Sequence, residues 1–145
     1  MKITNERNND QQPTTEIDKL ALIYIKDKKI LSSRSAGKDT WYIPGGKREK
    51  GENDIEALAR EIREELNVEL ILSSIKYMGV FKGQAHSHAA GVIVKMTCYI
   101  GEYSGILQPT SEIEEIAFLT FKDKDRSSTV DKLILQYLFS SGLID

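Results

Sequence analysis

The chain has 145 residues, 40% apolar and 29% charged, with a formal net charge of −2 at pH 7. That length supports one domain with a real core, and the nearly balanced charge argues against long nucleic acid as a partner while leaving room for a small phosphorylated ligand held through metal. A single cysteine, Cys98, excludes an internal disulfide; with no signal-peptide pattern and no long apolar run, the expectation is a cytoplasmic protein without membrane contact.

Residues 1–16 are polar and predict a mobile tail, so the folded domain is expected over 17–145. Leu20 to Ile25 reads as an apolar strand, Asp27-Lys28-Lys29 as a turn and Ile30 to Ser33 as the return strand of a hairpin. Ser35 to Thr40 is a loop, and Trp41 to Pro44 leads into a Gly45-Gly46 turn. Asn53, followed three residues later by Glu56, predicts an N-cap with its capping-box partner and a helix starting near Asp54. Beyond it, Leu70 to Leu72, Ile75 to Lys82, Ala90 to Tyr103 and Ile116 to Phe121 look extended. Val130 to Phe139 reads as an amphipathic helix with Val130, Leu133, Ile134, Tyr137 and Leu138 on one side. Strands interleaved with two helices predict an α/β fold, a mixed sheet covered on both faces.

The most informative segment runs Gly46, Glu52, Arg60-Glu61-Ile62, Glu64-Glu65, Asn67-Val68. On a helix, Glu61, Glu64 and Glu65 fall within an arc of about 100°, while Ile55, Leu58, Ile62 and Leu66 form an apolar stripe roughly a quarter turn away. Like charges so close together repel, and a hard divalent cation that takes oxygen ligands would compensate them. A solvated Glu-rich helix paired by Arg60 and Arg63 is the plainer alternative.

The whole run resembles the signature of the MutT-like Nudix hydrolases, enzymes that cleave nucleoside diphosphates linked to another group, with Asn67 standing where the pattern has glycine. The resemblance implies an α/β/α sandwich with a mixed β-sheet, a small-molecule nucleotide substrate and Mg²⁺ as cofactor, with Mn²⁺ as an alternative; a homodimer is an admissible assembly. It also implies that Glu64, Glu65 and the Gly45 carbonyl are metal ligands and that Glu61 is either the base that activates water or another ligand. Arg60 matches the arginine that orients a glutamate, and Glu52 matches a supporting carboxylate. Some Nudix enzymes carry a further catalytic glutamate before the last strand, where Glu112 is the candidate. A nucleotide-sensing module on the same fold is the competing reading, but such proteins typically lose the signature glutamates.

Other candidates are weaker. Arg34 and Lys47 lie near the site entrance in sequence and could meet a phosphate. His86 and His88 sit just past a strand, and His86 is kept as a substrate-binding candidate against a plain surface role. Of Trp41 and Tyr42, strand alternation lets only one face the site. Gly83-Gln84 stands where some ADP-ribose hydrolases have a proline and some diadenosine polyphosphate hydrolases a tyrosine, so neither subclass is supported. Asparagine tolerates positive φ better than other residues with a side chain, so Asn67 is expected to end the helix as glycine would.

Overall fold

The computed structural model describes residues 15–85 and 91–145. In chain order the elements are β1 (Thr15–Ile23), β2 (Ile25–Lys26), β3 (Lys29–Ser35), β4 (Trp41–Tyr42), β5 (Gly45–Gly46), α1 (Asp54–Leu66), β6 (Glu69–Leu70), β7 (Lys76–Gln84), β8 (Val92–Ile100), β9 (Tyr103–Ser104), β10 (Ile113–Leu119) and α2 (Thr129–Ser140). One sheet has the order β5-β1-β8-β7, with β1 and β8 parallel and its other pairs antiparallel. The second runs β10-β3-β2, with β4 also on β3, and β6 pairs β9.

The run Leu20 to Ile23 is apolar at every position because β1 is covered on both faces. Leu20 and Leu22 pack with Ala57, Leu58, Ile62 and Leu66 of α1, while Ala21 and Ile23 pack with Val130, Ile134, Leu135 and Leu138 of α2. Two cores separated by a mixed sheet make the α/β/α sandwich expected from the sequence.

Several boundaries differ from expectation. β1 opens at Thr15, because Thr15 and Glu16 pair through their backbones with Val92 and Ile93. Residues 71–72, expected extended, instead lead into a single 3₁₀ turn at Leu72–Ser74. The long strand expected from Ala90 to Tyr103 is divided, β8 ending at Ile100 and β9 starting afresh on β6. Phe121 opens a 3₁₀ helix, Phe121–Arg126, whose capping box joins Thr120 and Asp123. The hairpin turn holds Asp27 and Lys28 at φ 52° and 61°, the left-handed pair that matches strand twist. On α2, Leu133 and Tyr137 are exposed; the residue among Val130, Ile134 and Leu135 on the buried side is Asp131. Cys98 is buried, as its strand position predicts. Among the described residues, no helix is long and apolar enough to cross a membrane.

Candidate active site

The site is built on the loop before α1. Gly45 lies at φ 149°, and a Cβ there would collide with the Leu20 backbone carbonyl, so only glycine lets this strand lie against β1. A Cβ on Gly46 would overlap the Glu61 carboxylate. The two glycines therefore bring the loop backbone against the acidic face of α1. The helix itself starts as expected: Asn53 caps it, accepting from Glu56 N–H at 2.8 Å, while the Glu56 carboxylate accepts from Asn53 N–H at 3.0 Å.

Arg60 joins loop to helix. It donates to both Glu52 oxygens at 2.7 and 2.9 Å, to the Lys47 carbonyl at 3.0 Å and to Glu64 at 3.1 Å, and stands 3.5 Å from Glu61. This bidentate pair holds the Glu52 carboxyl below the usual carboxylate range.

Glu61 and Glu65 shift the opposite way from Glu52. Burial raises the Glu61 carboxyl, Arg60 opposing and Glu64 and Glu112 reinforcing. Burial, and then the Glu61 charge, push Glu65 up to about 8, although Gly45 N–H donates to its Oε1 at 3.4 Å. Both line a cleft of about 350 Å³ together with Gly45, Gly46, Lys47 and Glu112. Glu64 is not part of this lining; it is half exposed and paired to Arg60. Among the described residues, no trio of Asp, Glu, His and Cys converges as a ready-made metal cage. Carboxylates that repel one another and share an arginine spread apart, so the donor set is present without being drawn together. The hard oxygens of Glu61 and Glu65, partly desolvated and crowded with like charge, suit a divalent cation.

Glu112 reaches this cleft because its loop caps the end of α1. Gln108 N–H donates to the Leu66 carbonyl and Thr110 N–H to the Glu65 carbonyl, each at 3.0 Å, and the Thr110 hydroxyl donates to the Glu64 carbonyl. Asn67 ends the helix at φ 58°, as expected.

The remaining candidates separate. Lys47 lines the cleft, whereas Arg34 does not: it donates to Glu115 at 2.8 Å and to the Lys38 carbonyl at 2.9 Å, and pairs with Glu114 at 3.0 Å. Tyr42 faces the cleft while Trp41 is buried. His86 and His88 lie outside the described residues.

Two residues near the site escaped the sequence reading. Lys19, on β1, lines both this cleft and an adjoining cavity of about 100 Å³ bounded by Ile17, Gln84, Val94 and Ser128. Asp131, 1% exposed, accepts from Ile43 N–H at 2.8 Å through Oδ2, and its Oδ1 has no partner. Ser128 N–H donates to the Trp41 carbonyl at 3.3 Å, so the start of α2 anchors the strand that leads to Gly45. The available signal for Asp131 was its spacing, three and four residues before Ile134 and Leu135 on the buried stripe.

A family model described as the NUDIX domain matches residues 18–136. Over 89 residues the chain is 32% identical to a Bacillus subtilis (strain 168) protein named as the uncharacterized Nudix hydrolase YvcI, the match covering 61% of this chain. It spans about half, 55%, of that relative's length. In structure the chain is similar to the E. coli ORF135 protein, with TM-score 0.68 and 25% identity over 88% of this chain and 91% of that one. The MutT protein from Methanosarcina mazei Go1 shares the fold at TM-score 0.69 and 16% identity, over 91% of this chain and 99% of that one. With Gly46, Glu61 and Glu65 of the signature lining one cleft and the family match spanning most of the sequence, this chain belongs to the NUDIX domain family.

Proposed function

We propose that the protein is a metal-dependent pyrophosphohydrolase that cleaves the diphosphate linkage of a nucleoside triphosphate or a related nucleoside diphosphate compound. The observation that carries this reading is the pair of desolvated carboxylates, Glu61 and Glu65, lining one cleft with Glu112, Gly45 and Gly46.

In this proposal Glu64, Glu65 and the Gly45 carbonyl hold a divalent cation, Mg²⁺ or Mn²⁺. Glu64 exchanges part of its bond to Arg60 for this role. A cation held there would neutralise diphosphate charge and lower the pKa of water. Glu61, whose proton affinity burial raises, accepts a proton from the attacking water, with Glu112 in the same cleft lining. Arg60 keeps Glu52 and the loop in place, so the glycine backbone stays against α1. Lys47 offers a positive charge to a phosphate at the rim.

The test is release of pyrophosphate or phosphate from a panel of canonical and oxidised nucleoside triphosphates, ADP-ribose, nucleotide sugars and dinucleoside polyphosphates, with Mg²⁺ and with excess chelator. Turnover that needs the cation supports the reading. Binding of nucleotides without turnover of any of them would replace it with a sensing role.

A further inference from the structure

We propose that Lys19 is a substrate-binding, specificity-determining residue: its ammonium meets a phosphate oxygen of the substrate on the side of the diphosphate away from Glu61 and Glu65, where the cleft opens into the adjoining cavity. This rests on the hydrolase reading above.

Position comes first. Lys19 pairs through its backbone with Met96 in the middle of the β1–β8 ladder, so its Cα is held by the core sheet rather than by a loop. Its side chain is half-buried and, with Tyr42 and Met96, is common to the linings of the acidic cleft and the second cavity. A ligand extending from the carboxylates into that cavity must pass it.

Charge comes second. The arginines around the signature are already engaged, Arg60 with Glu52 and Glu64, Arg48 with Asp18 and Asp54, and Arg34 with Glu114 and Glu115, which leaves Lys19 and Lys47 as the cations of the cleft lining. The Lys19 ammonium forms no ion pair or hydrogen bond among the described residues; it lies 5.9 Å from the Tyr42 ring centroid. Holding a half-buried ammonium without a paired anion is costly unless an anion arrives with the ligand. Its charge acts on both Glu65 and Asp131, in each case as a minor influence beside burial. Phosphate oxygens are the anions this reaction brings.

The experiment compares the full-length parent with Lys19→Met and Lys19→Arg, all checked for the same melting behaviour. Steady-state kinetics use whichever nucleotide of the panel the parent hydrolyses in saturating Mg²⁺. The expected result is a KM raised about tenfold or more in Lys19→Met, the loss of one charge-assisted contact, with a smaller change in kcat. Lys19→Arg should recover most of it, and the Mg²⁺ concentration for half-maximal rate should not move. An unchanged KM would overturn the proposal. So would a shifted Mg²⁺ requirement with unchanged KM at saturating metal, which would make Lys19 only the counter-ion of Glu65 and Asp131. If the parent hydrolyses nothing, calorimetric titration with inorganic pyrophosphate and Ca²⁺ decides separately: weaker binding by Lys19→Met sustains the role of Lys19 while the hydrolase reading fails, and equal binding ends it.

Discussion

The side-chain amide of Asn67 donates to Oε1 of Gln108 at 2.8 Å. The one residue that departs from the signature thus does two things: its backbone adopts the left-handed conformation that ends α1, and its side chain holds the loop that leads to Glu112. A glycine would serve only the first.

Asn67→Gly is therefore expected to keep the helix end and retain turnover, because three further bonds hold the loop to the last turn. The cost should be about 1 kcal/mol, from an exposed hydrogen bond lost and a freer unfolded chain. Asn67→Val loses the bond and places a β-branched residue at positive φ, adding about 1–3 kcal/mol. Urea melts of the three proteins check this, and valine tolerated as well as glycine would contradict it.

The two loop glycines should fail differently. Gly46→Ala pushes aside the Glu61 carboxylate, the end of a flexible side chain, so the fold survives and turnover falls by about 10²-fold, the usual contribution of a positioned proton acceptor. Gly45→Ala meets the Leu20 backbone, which cannot move away, and should cost about 1–3 kcal/mol or more of stability. Circular dichroism melts alongside rate assays separate the two; equal melting points for both variants would count against this account.

Glu65→Gln should trade activity for stability. Its carboxyl is raised to about 8, so a folded chain near neutral pH either binds a proton or carries a poorly solvated charge, and a neutral amide removes that cost. In chelator the variant should melt at or above the parent. Its turnover in Mg²⁺ should drop by more than the roughly 10–100-fold typical of losing a group that merely supports a metal ligand. A variant as active as the parent would remove Glu65 from the metal site.

Asp131 predicts a pH-dependent stability. The groups facing it are Lys19 from β1, Tyr42 and the Ile43 N–H from the β4 segment, Cys98 from β8 and Ser128 at the start of its own helix. Burial dominates and raises its folded pKa from 3.8 to about 7. The folded state then holds a proton that the unfolded state has released, so this group's contribution falls as pH rises from about 4 to about 7 and stays low above that. Asp131→Asn keeps an acceptor for Ile43 N–H without the charge. Its stability relative to the parent should be greater at pH 8 than at pH 5, by on the order of a few kcal/mol. Denaturant melts in chelator at both pH values test this, and an equal difference at the two would refute it.

What the sequence determined by itself was local. The capping box at Asn53 and Glu56, the acidic and apolar faces of α1 and the left-handed end at Asn67 follow from spacing within one helix, where periodicity dictates which side chains share a face. The unbroken apolar run Leu20 to Ile23 likewise announced a strand covered on both sides. Tertiary structure alone decided which charges meet. Arg34 looked like a free cation near the site, yet the β3–β10 register sets Glu115 opposite it and takes its donors. Lys19 and Asp131 were not singled out from the sequence; the packing of β1, the β4 segment and α2 puts Lys19 in the cleft lining and buries Asp131 against the Ile43 N–H. No spacing within a single element encodes that meeting, because strand register and layer packing bring together residues more than a hundred positions apart and decide, by desolvation, which of them keep an ordinary charge.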